Sequence, residues 1–233
     1  MTLPVLILAG GLATRLKPIS EHTPKSLIEI SGLPFIAHQI NYLYLQGVKE
    51  VIICVGYLGE KIQSVIGYGS KFNLNISYSF DGPKLLGTGG ALKKAAKNLK
   101  TPFFVLYGDS FLPVDYKKIE NFYLTSQSKA LMTIYKNDNQ WDRSNVYFHN
   151  GDILEYNKIN PTKEMQYIDY GLSILSPSVF ELYENRDEFD LSDLYYKLSK
   201  NNLLAGFEVK TRFYEIGSPK GIEDAKIYFD GSL

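Results

Sequence analysis

One cysteine, Cys54, occurs in 233 residues. A lone thiol forms no internal disulfide and no cysteine cluster that could hold zinc. It stands in the apolar run Val51-Ile52-Ile53-Cys54-Val55, which reads as a core thiol in a buried strand. Histidine is nearly as scarce: His22, His38 and His149 share no metal-ligand spacing. No apolar run is long enough to span a bilayer. The apolar residues 3–9 lack a basic stretch before them and a clean small-residue cleavage site after them, so they do not read as a secretory leader. The expectation is a cytoplasmic protein with no membrane partner. Neither sign of charge is in excess, with Lys+Arg and Asp+Glu at 25 each. Nucleic-acid binding usually leaves a basic surplus, so no nucleic-acid partner is expected, although a local cationic pocket for a small phosphate ligand is compatible with this balance. G-x-G-x-x-G and G-x-x-x-x-G-K-[ST] are both missing, which removes the main support for a dinucleotide oxidoreductase or a P-loop NTPase.

What is present is the pattern of an ordinary globular chain, 45% apolar and 21% charged, long enough for one large α/β domain. Leu3–Leu8, Val51–Val55 and Phe103–Tyr107 read as buried strands, and Asn73–Ser79 as an alternating one with Leu74, Ile76 and Tyr78 on one face. Between them lie helical patterns over 34–46 (Phe35, Ile36, Ile40, Leu43 and Tyr44), Glu60–Ile66 (Ile62, Val65 and Ile66 inward) and Gly89–Leu99. Strand–helix alternation favours a mostly parallel sheet covered by helices, with ligands beyond the carboxyl ends of its strands. After about residue 128 the pattern changes. Strands are expected at Lys129–Tyr135, Asn145–His149, Ile153–Tyr156, Gln166–Leu175, Leu203–Val209 and Phe213–Ile216, with a hairpin turn at Asn150-Gly151. Helices are expected at Pro177–Tyr183, Leu191–Asn201 and Pro219–Phe229. No repeat or linker interrupts the chain, so residues 1–233 read as one domain in two halves, about 1–128 and about 129–233, the second partly antiparallel.

The first chemically informative segment runs from Leu8 to Pro18. Gly10-Gly11 directly follows a strand, and free N–H groups in such a turn can cradle phosphate oxygens. Arg15 and Lys17 add cationic donors, the guanidinium being able to bind phosphate through two bonds. Lys25 follows in the Pro-bounded turn Thr23-Pro24-Lys25-Ser26-Leu27. Asp109 stands directly after a buried strand and Gly108, where a carboxylate can project into a cleft. For each of these the plainer reading, a glycine turn or a solvated surface charge, stays open on the residues alone.

Taken in order, the motifs are more specific. L-A-G-G-x-x-T-R-L-x-P is followed by P-K-S-L with G-x-P-F-I, by Gly87-Thr88-Gly89-Gly90-Ala91-Leu92, by Leu106-Tyr107-Gly108-Asp109-Ser110 and by Tyr214-Glu215-Ile216-Gly217-Ser218-Pro219. This order resembles the sugar-1-phosphate nucleotidyltransferase family from Leu6 to about Ala225, and most closely its short branch acting on mannose- or manno-heptose-type 1-phosphates. The resemblance implies a Rossmann-like three-layer α/β/α fold, GT-A-like, with a mixed, mostly parallel central sheet. It implies transfer of a nucleoside monophosphate from an NTP to a sugar 1-phosphate with loss of pyrophosphate, Mg2+ as cofactor, and a nucleotide-binding first half ahead of an acceptor-binding second half.

Carried over residue by residue, the resemblance implies that Leu8, Ala9, Gly10, Gly11, Thr14 and Gly108 border the nucleotide. Arg15 would meet its β- and γ-phosphates and Lys25 its α-phosphate, so that Arg15, Lys25 and Asp109 form the catalytic set. Gly87, Thr88 and Gly89 would close over base and ribose, and Asp81 is a candidate reader of the base edge. Asp109 and Glu215 would be the metal carboxylates. Glu215 departs from the Asp usual in the family and is one methylene longer. On the acceptor side stand Asn145, Lys158, Asp169, Tyr170 and Gly171, with the bulk of Tyr170 leaving the sugar open. GTP with a manno-heptose or hexose 1-phosphate is preferred. A cytidylyl- or uridylyltransferase for another sugar or non-sugar phosphate, and a non-catalytic nucleotide or sugar-phosphate sensor, are the alternatives. Oligomeric state is open, a homo-oligomer included.

Overall fold

The computed structural model describes residues 2–11, 23–137, 140–141 and 143–231. Its elements run in chain order through β1 (Val5–Leu8), β2 (Glu29–Ile30), β3 (Leu33–Pro34), α1 (Phe35–Leu45), β4 (Glu50–Val55), α2 (Gly59–Ile66) and β5 (Asn75–Phe80). Then come α3 (Gly87–Ala95), β6 (Phe103–Tyr107), β7 (Ser110–Phe111), α4 (Tyr116–Ser126), β8 (Ala130–Lys136), β9 (Val146–His149), β10 (Asp152–Tyr156) and β11 (Tyr167–Leu175). A 3-10 segment at Pro177–Tyr183 precedes α5 (Leu191–Lys200), β12 (Leu204–Val209), β13 (Tyr214–Glu215) and α6 (Pro219–Gly231). These elements gather into two compact units, one of Met1–Leu85, Leu106–Pro113 and Arg212–Leu233, the other of Leu86–Val105 and Val114–Thr211.

In the first unit β1, β4 and β5 pair in parallel in the order β5-β4-β1, with Leu8 opposite Cys54 and Cys54 opposite Ser79. Leu6, Ile7, Val51 and Ile53 are fully buried. A parallel strand covered on both faces has to read as an unbroken apolar run, which is why these were legible. Helix α1 buries Phe35, Ile36, Ile40 and Leu43 as its spacing predicts, but Tyr44 is 40% exposed. One residue past Leu43 is a 100° rotation, enough to leave the inward stripe. For the same reason α2 turns Ile62 and Ile66 inward and leaves Val65 45% exposed. A second cluster joins Ile30, Phe35, Phe111, Ile216 and Ala225, with the rings of Tyr228 and Phe229 packed on Phe111 at 5.7 and 4.8 Å between centroids. Burying each large side chain there is worth about 1.5–3 kcal/mol, and this docks α6 beside β7 and β13.

In the second unit the strand order is β11-β8-β12-β10-β9. β8 pairs antiparallel with β11 (Met132 opposite Ser173) and parallel with β12 (Leu131 opposite Ala205). The β9–β10 hairpin turns at Asn150-Gly151 with φ of 51° and 94°, the left-handed pair that an Asn-Gly turn supplies. Helix α4 was not expected from the sequence. It buries Tyr116, Ile119, Glu120 and Tyr123, a helical spacing masked because one of the four is a carboxylate, and Asp115 caps it by accepting from Lys118 N at 2.9 Å. Parallel strands in the first unit and mixed strands in the second make the Rossmann-like α/β class with a mixed sheet that the motifs implied.

Candidate active site

The Gly108-Asp109 turn follows β6. Gly108 N donates to Leu8 O at 2.9 Å, and a Cβ on Gly108 would sit 3.1 Å from both Leu8 O and the Ala9 side chain. Glycine lets the turn come this close to the end of β1 without crowding it. Gln39, buried on the inward face of α1, donates through Nε2 to Tyr107 O at 2.8 Å and to Ser110 O at 2.7 Å, bracketing Asp109. Gln39 was not singled out in the sequence; the available signal was an amide inside the apolar stripe Phe35-Ile36-Ile40-Leu43. Lys25 Nζ pairs with Asp109 Oδ2 at 2.6 Å, and Ser110 Oγ donates to Oδ1 at 3.2 Å. The two side chains are 20% and 38% exposed, so the pair still faces solvent.

Glu215 reaches the same place from the far end of the chain. β13 pairs antiparallel with β7, Glu215 opposite Ser110, and Ile216 N donates to Asp109 O at 3.0 Å. The two expected metal carboxylates therefore lie at one strand pair, Asp109 in the turn just before β7 and Glu215 on β13. The Glu215 carboxylate turns toward the start of α6, accepting from Gly217 N and, at 2.7 Å, from Ser218 Oγ. A side chain on Gly217 would overlap Glu215 Oε2 and lie 2.9 Å from Lys25 Nζ, so Lys25 and Glu215 converge over that glycine.

At the end of β1, Ala9 N donates to Cys54 O at 2.8 Å. A Cβ on Gly10 would lie 2.9 Å from Gly56 N, and one on Gly56 would lie 3.0 Å from Gly10 O and 3.4 Å from Asp81 Oδ2. Gly10 is thus required by close backbone approach, and Asp81 stands beside that approach. Among the described residues nothing lies within 4 Å of where a Cβ on Gly11 would go. Cys54 is buried as expected, and burial, then the charge of Asp81, pushes its thiol pKa up, which makes it inert at neutral pH. Thr14 and Arg15 lie outside the described residues.

The second unit holds the acceptor candidates. Asp169 N donates to Asn145 Oδ1 at 3.2 Å, and Gly171 N, at φ 101°, donates to Asp169 Oδ1 at 2.9 Å. The β11–β8 register shifts between Asp169 and Ser173, so the strand bulges where it presents these groups. Burial pushes the Asp169 carboxyl up to about 6, against the opposing pull of the Gly171 N–H and the Lys158 charge. Tyr156 and Tyr195 are buried beside it and both phenols are pushed up, first by burial and then by the Asp169 charge. Ser173 Oγ and Tyr195 OH share a 2.5 Å hydrogen bond. Tyr170 is 3% exposed and stacks on Tyr135, placing its ring in the core.

Lys158 lines an open cavity of about 420 Å³ together with Tyr183, Arg186, Ser192, Asp193 and Lys197. Three cations at one concavity suit a phosphate. Arg186 and Lys197 were not singled out in the sequence, because a basic residue in a polar loop or on an exposed helix face looks the same whether or not it borders a cavity. Gly87, Thr88 and Gly89 dock on the loop leading into α5. Gly89 N and Gly90 N donate to Phe189 O at 2.9 and 3.2 Å, and Thr88 Oγ1 accepts from Leu191 N at 2.8 Å.

Among the described residues no group of three or more His, Cys, Asp or Glu could hold a metal, and no helix is long and apolar enough to cross a membrane. Parallel strands covered by helices, with a mixed second unit, define a Rossmann-like α/β protein. The family model for nucleotidyl transferases matches residues 4–225, and the chain belongs to that family. It is 30% identical over 217 residues to the D-glycero-alpha-D-manno-heptose 1-phosphate guanylyltransferase of Campylobacter jejuni, covering 92% of this chain and 95% of that protein. It is 32% identical over 223 residues to the mannose-1-phosphate guanyltransferase of Debaryomyces hansenii, covering 92% of this chain and 61% of the yeast protein's length. Among solved structures, HddC from Yersinia pseudotuberculosis in complex with GMP-PN superposes with a TM-score of 0.81 at 28% identity over 97% of this chain and 99% of HddC.

Proposed function

We propose that the chain transfers a nucleoside monophosphate from an NTP to a sugar 1-phosphate, giving an NDP-sugar and pyrophosphate, with GTP and a mannose-type or manno-heptose-type 1-phosphate as the preferred pair. The observation that carries this reading is the Lys25–Asp109 pair at the end of β6, with Glu215 delivered beside it by β13. The names of the Campylobacter and Debaryomyces relatives support the guanylyl and sugar-phosphate choice.

In this reaction an oxygen of the acceptor phosphate forms a bond to the α-phosphorus, the bond from that phosphorus to the bridging oxygen breaks, and pyrophosphate leaves with the electron pair. No proton need be removed from an acceptor that attacks as a phosphate anion. The protein's part is positioning and charge stabilisation. Lys25 would donate to oxygens on the α-phosphate, exchanging part of its bond with Asp109 for the substrate. The Gly10-Gly11 turn and Arg15 would hold the β- and γ-phosphates. Asp81 would accept N–H groups from the base, and guanine presents two adjacent ones. Lys158 and Arg186 would hold the acceptor phosphate, with Asn145, Asp169 and Gly171 toward the sugar.

Mg2+ fits Asp109: a partly exposed carboxylate offers hard oxygen donors, and magnesium takes one or two carboxylates and completes its shell with phosphate oxygens and waters. Glu215 fits once it releases Ser218 Oγ. When bound, the ion would neutralise phosphate charge during transfer.

A pyrophosphate-release screen crossing the four NTPs with mannose, manno-heptose and glucose 1-phosphates and choline phosphate tests the reading. Release is expected with GTP and a manno-configured sugar 1-phosphate, and loss of release with a retained melting temperature in Asp109→Asn. No release from any pair, or full turnover in Asp109→Asn, overturns it.

A further inference from the structure

Lys93, on α3, serves no atom of the sites above, yet its ammonium is among the most heavily engaged groups described. Nζ donates to Tyr183 O at 3.0 Å, Glu184 O at 3.1 Å, Arg186 O at 3.2 Å and Asp187 Oδ1 at 2.9 Å. An ammonium has three N–H donors, so four acceptors must share them, and the contacts fix the turn from three sides. That turn carries Tyr183 and Arg186, two walls of the cavity that Lys158 lines.

The same helix grips the loop a second time, at its far end. Gly89 and Gly90 donate their N–H groups to Phe189 O, and Thr88 Oγ1 takes the N–H of Leu191, the first residue of α5. A side chain on Gly90 would overlap the carbonyl of Asp187. The Gly87–Gly90 motif and Lys93 thus form one clamp over residues 183–191, with Lys93 holding the part nearest Arg186.

We infer that Lys93 is a positioning residue for acceptor recognition, acting through the Tyr183–Asp187 turn to hold Arg186 at the cavity. The inference rests on the proposal that this cavity takes the acceptor's phosphate. Its physical basis is that a guanidinium recognises phosphate only in a fixed orientation. Misplacement on the ~1 Å scale can lower the productive interaction by as much as about a hundredfold. Without the ammonium, three carbonyls and a carboxylate lose their common donor and the turn loses its fixed position.

The test is isothermal titration calorimetry of the whole protein with mannose 1-phosphate and, separately, with GTP, on wild type, Lys93→Met, Lys93→Arg and Lys158→Ala. Lys93→Met is expected to raise the mannose 1-phosphate Kd roughly tenfold while the GTP Kd stays within about twofold. Lys93→Arg, which keeps charge and several donors, should recover most of the loss. Should Lys93→Met fail to fold, Lys93→Gln, with its neutral amide donors, is expected to show an intermediate rise. Unchanged mannose 1-phosphate binding in the Lys93 variants while Lys158→Ala weakens it overturns the inference and leaves the cavity reading standing. Equal weakening of both ligands, or failure of Lys93→Arg to recover binding, reduces Lys93 to a general structural role. Unchanged binding in Lys158→Ala overturns the cavity reading itself.

Discussion

Asp169→Asn separates the energetic burden of a site residue from its use. The substitution removes the charge but keeps an oxygen to accept the Gly171 N–H now at 2.9 Å. In the folded chain the carboxyl sits at about 6, raised chiefly by burial above its usual 3.8. A raised value means that the folded state prefers the proton. Below pH 3.8 both folded and unfolded chains are protonated and no penalty exists. As pH rises through 6 the folded chain comes to hold a charge it disfavours, and at ~1.4 kcal/mol per tenfold in proton affinity the full penalty is about 3 kcal/mol. A neutral amide at this position would carry no such dependence. The variant should therefore match wild type near pH 4 and exceed it by up to about 3 kcal/mol above about pH 7. For a chain of this length that is a gain of roughly 6–12 °C in Tm. Calorimetric melts at about pH 4.5, 6 and 7.5 read this directly. An equal or lower Tm for the variant at the highest of these would refute the reasoning, because it would mean that Lys158 and the Gly171 N–H fully compensate the buried charge. A stabilised variant that binds mannose 1-phosphate less well would identify Asp169 as a charge kept for recognition at the expense of the fold.

Glu215→Gln should cut kcat about a hundredfold or more, since a neutral amide is a poor ligand for a hard cation, and Glu215→Asp should fall between; normal kcat and magnesium dependence with a lowered Tm would assign Glu215 to the start of α6 alone. Gly11→Ala and Gly90→Ala form a contrasting pair: the first meets no atom of the described residues and should leave Tm unchanged while raising the KM for GTP, whereas the second meets the Asp187 carbonyl and should lower stability by about 1–3 kcal/mol. Thermal melts beside initial rates settle both, and a melting temperature lowered in Gly11→Ala rather than in Gly90→Ala would reverse the assignment.

What was legible in the chain depended on how strongly each position constrains its residue. Strands buried on both faces admit almost nothing but apolar residues, so β1, β4 and β6 stood out. Asn150-Gly151 was legible because positive φ at two successive residues narrows the choice of side chain. Helix α4 was not, since its inward face includes Tyr116, Glu120 and Tyr123, which read as polar until their neighbours are known. Tyr44 and Val65 were placed inward because hydrophobicity does not report rotation about a helix to within one residue. The Lys25–Asp109 pair joins residues 84 apart that two separate motifs had already marked. Gln39, Lys93 and Arg186 carried no such mark. Each acts by reaching a backbone group or a cavity brought near only by the tertiary fold, and a single sequence holds no record of that proximity. Glu215 was marked as a ligand, whereas its second set of partners, Gly217 N and Ser218 Oγ, belongs to the local geometry of the strand-to-helix turn.

The first unit is sewn from three separated stretches, and its last stitch, Arg212–Leu233, comes after the whole of the second unit's sequence. During synthesis the N-terminal residues emerge first and the chain grows at about 5–20 residues per second. The turn bearing Asp109 is exposed to the cell for seconds before β13 and α6 leave the ribosome to cover it. Throughout that interval Ile30, Phe35 and Phe111 lack Ile216 and Ala225, the residues that later close their cluster. The nascent protein therefore spends its most aggregation-sensitive period with this apolar surface open and its two carboxylates apart. A chain that ends before residue 212 would carry the second unit's whole sequence joined to a first unit with neither its seal nor Glu215.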